Sequence, residues 1–169
     1  VLDVDTHYYW KVRANDSESW GQYSQMYNFT VDSLVYIYLT TNSVAFGNMA
    51  LGEKNETTDS NPLPFAAENR GNVISNISIN ATSYFTSPSI NFPSNNYQFK
   101  IRENEAGSFN TASSNMTWVN MSDASATPNI ININWQEVNN DGLIDINVTV
   151  PSDEPSGAKS SSVRFTIET

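Results

Sequence analysis

Near its start the chain reads Leu2-Asp-Val-Asp-Thr-His-Tyr-Tyr-Trp-Lys-Val-Arg-Ala14, a run whose side chains alternate between two faces. One face carries Tyr8, Trp10, Val12 and Ala14, and the other carries His7, Tyr9, Lys11 and Arg13. Because successive side chains of a strand point in opposite directions, this pattern predicts a half-buried β-strand. After a polar turn, Met26-Tyr-Asn-Phe-Thr-Val31 alternates again and is predicted to be its hairpin partner.

This predicted hairpin resembles part of a known domain. The residues that carry the resemblance are Leu2, Thr6, Tyr8, Trp10, Val12, Ala14, Trp20, Tyr23, Ser24 and Phe29-Thr-Val31. They look like the last two strands of a fibronectin type III domain, in which a tyrosine at the position of Tyr8 forms a corner with nearby backbone. The resemblance implies either the end of a truncated domain or a segment that pairs with an open sheet edge.

A change of pattern after Asp32-Ser33 marks a domain boundary, since Leu34-Val-Tyr-Ile-Tyr-Leu39 begins a new series of strands. The predicted domains are therefore residues 1–33 and 34–169. Further strand candidates are residues 43–50, 63–68, 73–85, 97–102, 116–121, 129–138, 144–150 and 162–167. Their spacing and turn-rich separators predict a sandwich of about seven to nine strands.

The second predicted domain also resembles a known module. The segments concerned are Ser43-Val-Ala-Phe-Gly47, Pro62-Leu-Pro-Phe65, Glu68-Asn-Arg-Gly-Asn72, Val150-Pro-Ser-Asp-Glu-Pro-Ser-Gly157 and Val163-Arg-Phe-Thr-Ile167. Together they are similar to the immunoglobulin-like repeats of archaeal cell-surface and S-layer-associated proteins. The resemblance implies an all-β, immunoglobulin-like β-sandwich outside the cell.

Composition narrows the classes of partner. The 169 residues include no cysteine, which excludes disulfides, thiolate metal sites and cysteine nucleophiles. A formal net charge of −10 disfavours nucleic acid and anionic membrane surfaces as partners. No apolar run approaches the ~20 residues of a membrane helix, so no membrane insertion is expected within this sequence.

Eight asparagines begin the Asn-x-Ser/Thr sequon, the acceptor motif for N-glycosylation. They are Asn15, Asn28, Asn55, Asn76, Asn80, Asn115, Asn120 and Asn147. Together with the abundance of Asn, Ser and Thr, they predict a glycoprotein in which some of these sites carry sugar.

The segment from Glu137 to Asp145 is the strongest metal candidate, because Glu137, Asn139, Asp141 and Asp145 present oxygen ligands around a glycine, as calcium loops do. The position of the usual last, bidentate glutamate is taken by Val148. The competing interpretation is a β-turn, favoured by Asn-Asp-Gly, that joins strands 129–138 and 144–150 into a hairpin.

Catalytic signals are weak. His7, the single histidine, has no nucleophile near it in sequence. Glu103 and Glu105, or Asp153 and Glu154, are acid pairs, but neither spacing makes two carboxylates face each other across a sugar. We therefore predict that the chain is not an enzyme.

Exposed aromatics provide a second kind of candidate site. Tyr9, Tyr36, Tyr38 and Trp118 would form a carbohydrate platform if they shared one flat face.

The sequence predicts a structural or adhesive module of an extracellular surface protein, surface layer or filament. Expected partners are neighbouring domains or identical subunits joined through sheet edges, and a carbohydrate or another cell-surface ligand. The alternative is a carbohydrate-binding accessory module of a secreted enzyme.

Overall fold

A computed structural model describes residues 2–124 and 127–169 of the chain. All regular elements in these ranges are β-strands, which confirms the predicted all-β class. The strands are β1 Thr6–Trp10, β2 Tyr27–Val31, β3 Ile37–Thr41, β4 Lys54–Glu56, β5 Phe65–Asn69, β6 Ser75–Ala81, β7 Tyr97–Glu103, β8 Val119–Asn120, β9 Ile130–Ile133, β10 Asp141–Thr149 and β11 Val163–Glu168. Among the described residues there is no helix long and apolar enough to cross a membrane.

The chain divides into two compact units, Val1–Leu34 and Val35–Thr169. The boundary falls one residue after the position predicted from the sequence. Each unit contains its own sheet pairing, with β1 and β2 in the first unit and β3 to β11 in the second.

The first unit is an antiparallel hairpin of β1 and β2. On one face Tyr8 stacks on Phe29 with ring centroids 5.5 Å apart, and Trp10 stacks on Tyr27 at 4.9 Å. The backbone N–H of Asp3 donates a 2.6 Å hydrogen bond to the Tyr8 hydroxyl, so this tyrosine does bond to nearby backbone. Trp10, Tyr27 and Phe29 on this face stay 43–46% exposed. A two-stranded hairpin alone is only marginally stable.

The second unit contains two antiparallel sheets. The larger has the strand order β3-β5-β10-β7-β8 with β4 also beside β10, and the smaller has the order β11-β6-β9. Strand β10 lies at the centre because it pairs with β7 on one side and with β5 and then β4 on the other.

A single hydrophobic core lies between these sheets. From the larger sheet, Ile144 and Val148 of β10 are fully buried, and from the smaller sheet so are Ile77 and Ile130. The rings of Phe65 and Phe165 approach to 5.5 Å across the gap. Burying each such side chain, relative to leaving it in water, stabilises the fold by about 1.5–3 kcal/mol. Packing the two sheets face to face achieves this burial.

Residues 43–50 are an exception to the predicted strands. They form no strand, because Gly47 adopts a φ of +69° that interrupts an extended backbone. Val44, Phe46 and Met49 nevertheless pack against the core, which explains the strand-like pattern. The short strand β4 instead lies in the separator between the predicted strands 43–50 and 63–68.

The predicted hairpin of residues 129–138 and 144–150 is wrong. Strand β9 pairs with β6 in the smaller sheet, whereas β10 belongs to the larger sheet. The connecting residues cross from one sheet to the other, with a turn closed by a 2.8 Å hydrogen bond from Asn139 N–H to the Gln136 carbonyl. Asp141 and Gly142 lie within β10 itself.

Both ends of the strand path through this sandwich lie at one pole. Ile37 of β3 pairs with Asn69, and Glu168 of β11 pairs with Asn76, and the turn of residues 70–74 joins these two partners. We term this end the near pole. The far pole carries the loops of residues 42–53, 82–96 and 150–162.

Candidate functional site

Four carboxylates gather at the near pole and form what we term the acidic corner. They are Glu68, Glu103, Glu105 and Asp141. Strand pairing places them there, because Asp141 lies opposite Glu68 and its neighbour Gly142 lies opposite Glu103. Glu105 is held by a 2.9 Å hydrogen bond from the Asn140 backbone N–H.

The negative charge of Asp141 is poorly compensated by hydrogen bonds. Asn104 donates a 2.8 Å hydrogen bond to its Oδ2, but its buried Oδ1 accepts no hydrogen bond within the described residues. Burial raises the pKa of Asp141 above its ordinary value of 3.8, and the charges of Glu105 and Glu68 raise it further. The ionised form of Asp141 therefore destabilises the fold at neutral pH.

The structure does not bring the four predicted calcium ligands together. Asn139 does present a buried Oδ1 that no described group satisfies, as Asp141 does. Glu137, however, is exposed, and Asp145 lies four residues from Asp141 along one strand, about 13 Å away. That exceeds what ligands at about 2.3–2.6 Å from one calcium ion allow. Across residues 2–124 and 127–169, no three Asp, Glu, His or Cys side chains are grouped as a metal ion requires.

Replacing Asp141 by asparagine is expected to stabilise the protein by about 0.5–1 kcal/mol at pH 7, because it removes a charge that burial and like charges disfavour. The folded-state pKa of Asp141 is raised, so its penalty exists above the unfolded value of 3.8 and disappears as the pH falls below it. Urea unfolding at pH 7 and at pH 3 measures both effects.

Glu103→Gln serves as the matched control, since Glu103 lies in the same corner and already accepts a 2.9 Å hydrogen bond from Gly107 N–H. A loss of stability in the Asp141→Asn variant would contradict the electrostatic argument. Repeating the unfolding with millimolar CaCl2 distinguishes repulsion from cation binding, because a calcium-dependent stabilisation that the variant loses would assign a cation to this corner.

Asp145 belongs to a different arrangement, a buried ion pair. The residue is 0% exposed, and its Oδ2 lies 2.9 Å from Arg102 Nε. Its Oδ1 accepts a 3.1 Å hydrogen bond from the Thr57 hydroxyl, which itself accepts one from Ile146 N–H at 3.0 Å. Both carboxylate oxygens are satisfied, so this group is part of the structure of the sheet.

At the far pole, Glu154 fastens two loops together. Its carboxylate accepts hydrogen bonds from the Thr86 backbone and hydroxyl and from Ser87 N–H at 2.8–3.1 Å. The Lys159 ammonium forms an ion pair with the same group. Burial opposes ionisation, but the bonds from Lys159, Thr86 and Ser87 outweigh it and lower the pKa of Glu154 to about 2. We term these contacts of Glu154 with Thr86, Ser87 and Lys159 the loop clamp.

Asp153 adds hydrogen bonds to this clamp from its exposed side. Hydrogen bonds from the hydroxyls of Ser87 and Ser89 lower the pKa of Asp153. The Asp153–Glu154 pair therefore serves loop attachment, and neither carboxylate is poised to donate a proton near neutral pH.

A groove of about 910 Å³ lies beside this clamp. Its apolar walls include Met49, Leu51, Tyr84, Phe85 and Pro155. The Glu154–Lys159 pair lines it as well, but the two charges compensate each other. The groove offers apolar contact surface without an unpaired charge among its lining residues.

The four predicted platform aromatics have different surroundings. Arg70 covers the Tyr38 ring at 3.9 Å, and Lys100 covers Trp118 at 4.7 Å. Tyr36 is 47% exposed in the second unit, and Tyr9 is 64% exposed in the first. Cations therefore lie over two of the four predicted rings, and the other two are exposed, one in each unit.

The first unit carries a cationic-aromatic cluster that the sequence analysis missed. Lys11 lies 4.1 Å from the Tyr23 ring, and Arg13 lies 4.2 Å from Trp20 and 4.7 Å from Tyr23. Two cations on one face of an otherwise acidic chain were the available signal. The cluster depends on the turn that pairs Trp20 with Asn15 in an antiparallel bridge, which alternation does not predict.

The single histidine lies in no catalytic arrangement of described residues. His7 Nδ1 is 2.8 Å from the Thr30 hydroxyl, and its ring is 5.1 Å from Tyr9. These contacts fix the imidazole on the hairpin surface.

The eight sequon asparagines differ in accessibility. The exposed ones are Asn15, Asn28 and Asn120, and the half-buried ones are Asn55, Asn76, Asn80 and Asn115. Asn147 is only 4% exposed, and its Nδ2 donates a 3.0 Å hydrogen bond to Gln98 Oε1. A glycan on Asn147 has no room in this fold, which removes it from the predicted sites.

Comparisons with protein-family models, with curated proteins and with solved structures find no match in any of the three.

Proposed function

We propose that the chain is a non-enzymatic structural or adhesive module of an extracellular protein, within a cell surface, a surface layer or a filament. One observation carries the proposal: a two-stranded unit, joined in series to a sandwich, exposes the apolar face of Tyr8, Trp10, Tyr27 and Phe29. Two strands alone do not cover such a face, so it is suited to packing against further β-structure.

The cover for this face has two sources. It is the remainder of a fibronectin type III-like domain, as the resemblance implies, or a sheet of a neighbouring subunit. The second unit offers edge strands, β8 and β3 in the larger sheet and β11 in the smaller, which are positioned to pair with another chain. The first source would complete one domain, whereas the second would make lateral β-contacts between chains the basis of assembly.

The state of the ionisable groups supports a role without chemistry. Asp145 is neutralised by Arg102, and Glu154 is neutralised by Lys159 and backbone donors. His7 is bonded to Thr30 on an open surface. The net charge of −10 keeps such a module hydrated and resistant to non-specific association.

On intact cells that produce the protein, its lysines are expected to react with a membrane-impermeant amine reagent. Lys11 and Lys54 are exposed, so labelling requires no unfolding. The measurement is mass spectrometry of labelled peptides, with a cytosolic protein as the control. Labelling that appears only after lysis would overturn the extracellular proposal and leave the β-sandwich unaffected.

The cationic-aromatic cluster favours a second candidate, a carbohydrate-binding accessory module. Trp20 and Tyr23 are exposed aromatics, and Lys11 and Arg13, which lie over their rings, would complement an acidic polysaccharide. Affinity electrophoresis in gels with polyuronate or neutral glucan separates the two candidates. Retardation that Trp20→Ala abolishes would favour the accessory module, whereas unchanged mobility favours the structural one.

A further inference from the structure

Two cross-strand pairs on the open face of the first hairpin form a compact array. The strand register places Tyr9 opposite Asn28 and His7 opposite Thr30. Asn28 and Thr30 are the acceptor and the hydroxyl residue of one sequon, Asn28-Phe29-Thr30. Directly opposed residues have Cβ atoms about 4.5–5.5 Å apart, so the acceptor asparagine lies beside an aromatic ring.

We propose that Asn28 carries an N-linked glycan whose first sugar packs on the ring of Tyr9. The proposal rests on the extracellular function proposed above, and it identifies one site and one contact within it. Tyr9 is 64% exposed, which leaves ring surface available to a saccharide. The apolar C–H face of a pyranose is the kind of surface that an exposed tyrosine covers well.

Asn28 combines features that the other acceptors lack. It is exposed, and no described group bonds to its side chain, whereas Asn15 Oδ1 accepts a 2.8 Å bond from Ser17 N–H and Asn120 Oδ1 accepts one of 3.0 Å from Gln98. Asn120 also has an aromatic neighbour, Trp118, but Lys100 occupies a face of that ring. The ring opposite Asn28 has His7 as its neighbour, with ring centroids 5.1 Å apart, and stays 64% exposed.

His7 contacts both Thr30 and Tyr9 in this array. Its Nδ1 lies 2.8 Å from the Thr30 hydroxyl, and its ring tilts by 53° against Tyr9. One histidine thereby holds both the hydroxyl of the sequon and the aromatic ring that faces the acceptor. The lone imidazole of the chain thus has a positioning role instead of a catalytic one.

The attachment chemistry is a substitution at an anomeric carbon. The donor is a lipid-linked oligosaccharide phosphate, and a transferase brings the two together. Asn28 Nδ2 forms the new C–N bond, the C–O bond to phosphate breaks, and the lipid phosphate leaves with that electron pair. One proton passes from Nδ2 to a base of the transferase, so charge and atoms balance.

The first test is glycopeptide mass spectrometry on the protein isolated from the cells that naturally make it. The peptide containing Asn28 is expected to carry sugar in most molecules. Thr30→Ser, which keeps the sequon, is expected to retain this modification, whereas Thr30→Val is expected to abolish it. An unmodified Asn28 beside sugar on other sequons overturns the inference alone, and sugar on no sequon counts also against the extracellular proposal.

The second test is a double-variant cycle on the glycosylated protein, read by amide hydrogen exchange in β1 and β2. Tyr9→Thr and Asn28→Gln are each expected to speed exchange about five-fold, as the loss of a strong cross-strand pair does. The double variant is expected to exchange no faster than either single variant. Asn120→Gln, which removes an acceptor on β8, is the control and leaves hairpin exchange unchanged.

The cycle also distinguishes attachment from packing. Additive effects of Tyr9→Thr and Asn28→Gln would show that the sugar and the ring do not interact, which overturns the packing part of the proposal. The same cycle on protein from a host without N-glycosylation is expected to show no effect of Asn28→Gln. An equal effect there would assign the stabilisation to the asparagine itself and also overturn it.

Discussion

Replacing Arg102 with methionine is expected to lower the free energy of unfolding by about 3 kcal/mol, as measured by urea denaturation at pH 7. Methionine retains the apolar stem but removes the guanidinium, which lies 2.9 Å from Asp145. Asp145 is 0% exposed, and only the Thr57 hydroxyl would remain as its partner. A buried carboxylate without a counter-charge is among the most destabilising arrangements in a protein.

The second half of this test restores the balance of charge. The double variant Arg102→Met, Asp145→Asn is expected to recover at least half of the loss, because asparagine can still accept from Thr57 without a buried charge. Lys100→Met is the matched control, since Lys100 is a cation on the same face of the same strand and lies over the Trp118 ring. Equal losses for Lys100→Met and Arg102→Met would refute the special role of the Asp145 pair.

Glu154→Gln is expected to cost about 2 kcal/mol at pH 7, because it replaces charge-assisted hydrogen bonds at a nearly buried site with neutral ones. The amide also leaves the Lys159 ammonium without its counter-charge, although its bond to the Thr86 hydroxyl remains, and presents an NH2 group to the donors at Thr86 and Ser87. Loss of the clamp is expected to increase hydrogen exchange in the loops of the far pole before it affects β10. Asp153→Asn, at the exposed side of the same clamp, is the control with the smaller effect.

The same carboxylate predicts acid sensitivity. The folded-state pKa of Glu154 is about 2, below its ordinary value of 4.5. Its contribution is therefore fully present above pH 4.5 and is lost as the pH falls through 2. The stability gap between wild type and Glu154→Gln should close over that range. A gap that stays constant from pH 7 to pH 2 would contradict the assignment of Glu154 as the ionised anchor.

The sequence predicted those parts of the fold in which local periodicity and burial agree. The alternating run around Tyr8 and Trp10 became β1, and its partner became β2. The strand prediction for residues 43–50 was wrong because an apolar pattern indicates burial and not strand geometry. Val44 and Phe46 pack against the core from a loop. The hairpin predicted from Asn-Asp-Gly was wrong because β10 pairs with strands on both sides in the larger sheet. Local turn chemistry does not indicate such long-range pairing.

Among the site residues too, the local pattern predicted some features, whereas others depend on residues distant in sequence. A carboxylate on the polar side of a strand is expected to face water, yet Asp145 is buried because Arg102 on β7 and Thr57 after β4 cover it. Those partners lie 43 and 88 residues away in sequence. Asn147 was predicted to accept sugar from its sequon alone, and its burial likewise follows from long-range pairing with Gln98. In contrast, the exposure of Asn28 and Tyr9 follows directly from alternation in the hairpin.

The near pole has a mechanical meaning. Since the first residue of β3 and the last residue of β11 lie at the same end of the sandwich, tension applied through these two strands pulls outward at one end. The hydrogen bonds between β3 and β5 would then break sequentially, beginning at the near pole. In a shear geometry, by contrast, all of these bonds would carry the force at the same time. A module tethered in this way yields at low force and lengthens, while its far pole stays free of tethers. In an assembly under strain, it would act as an extensible link, and stiffness would have to come from contacts between neighbouring chains.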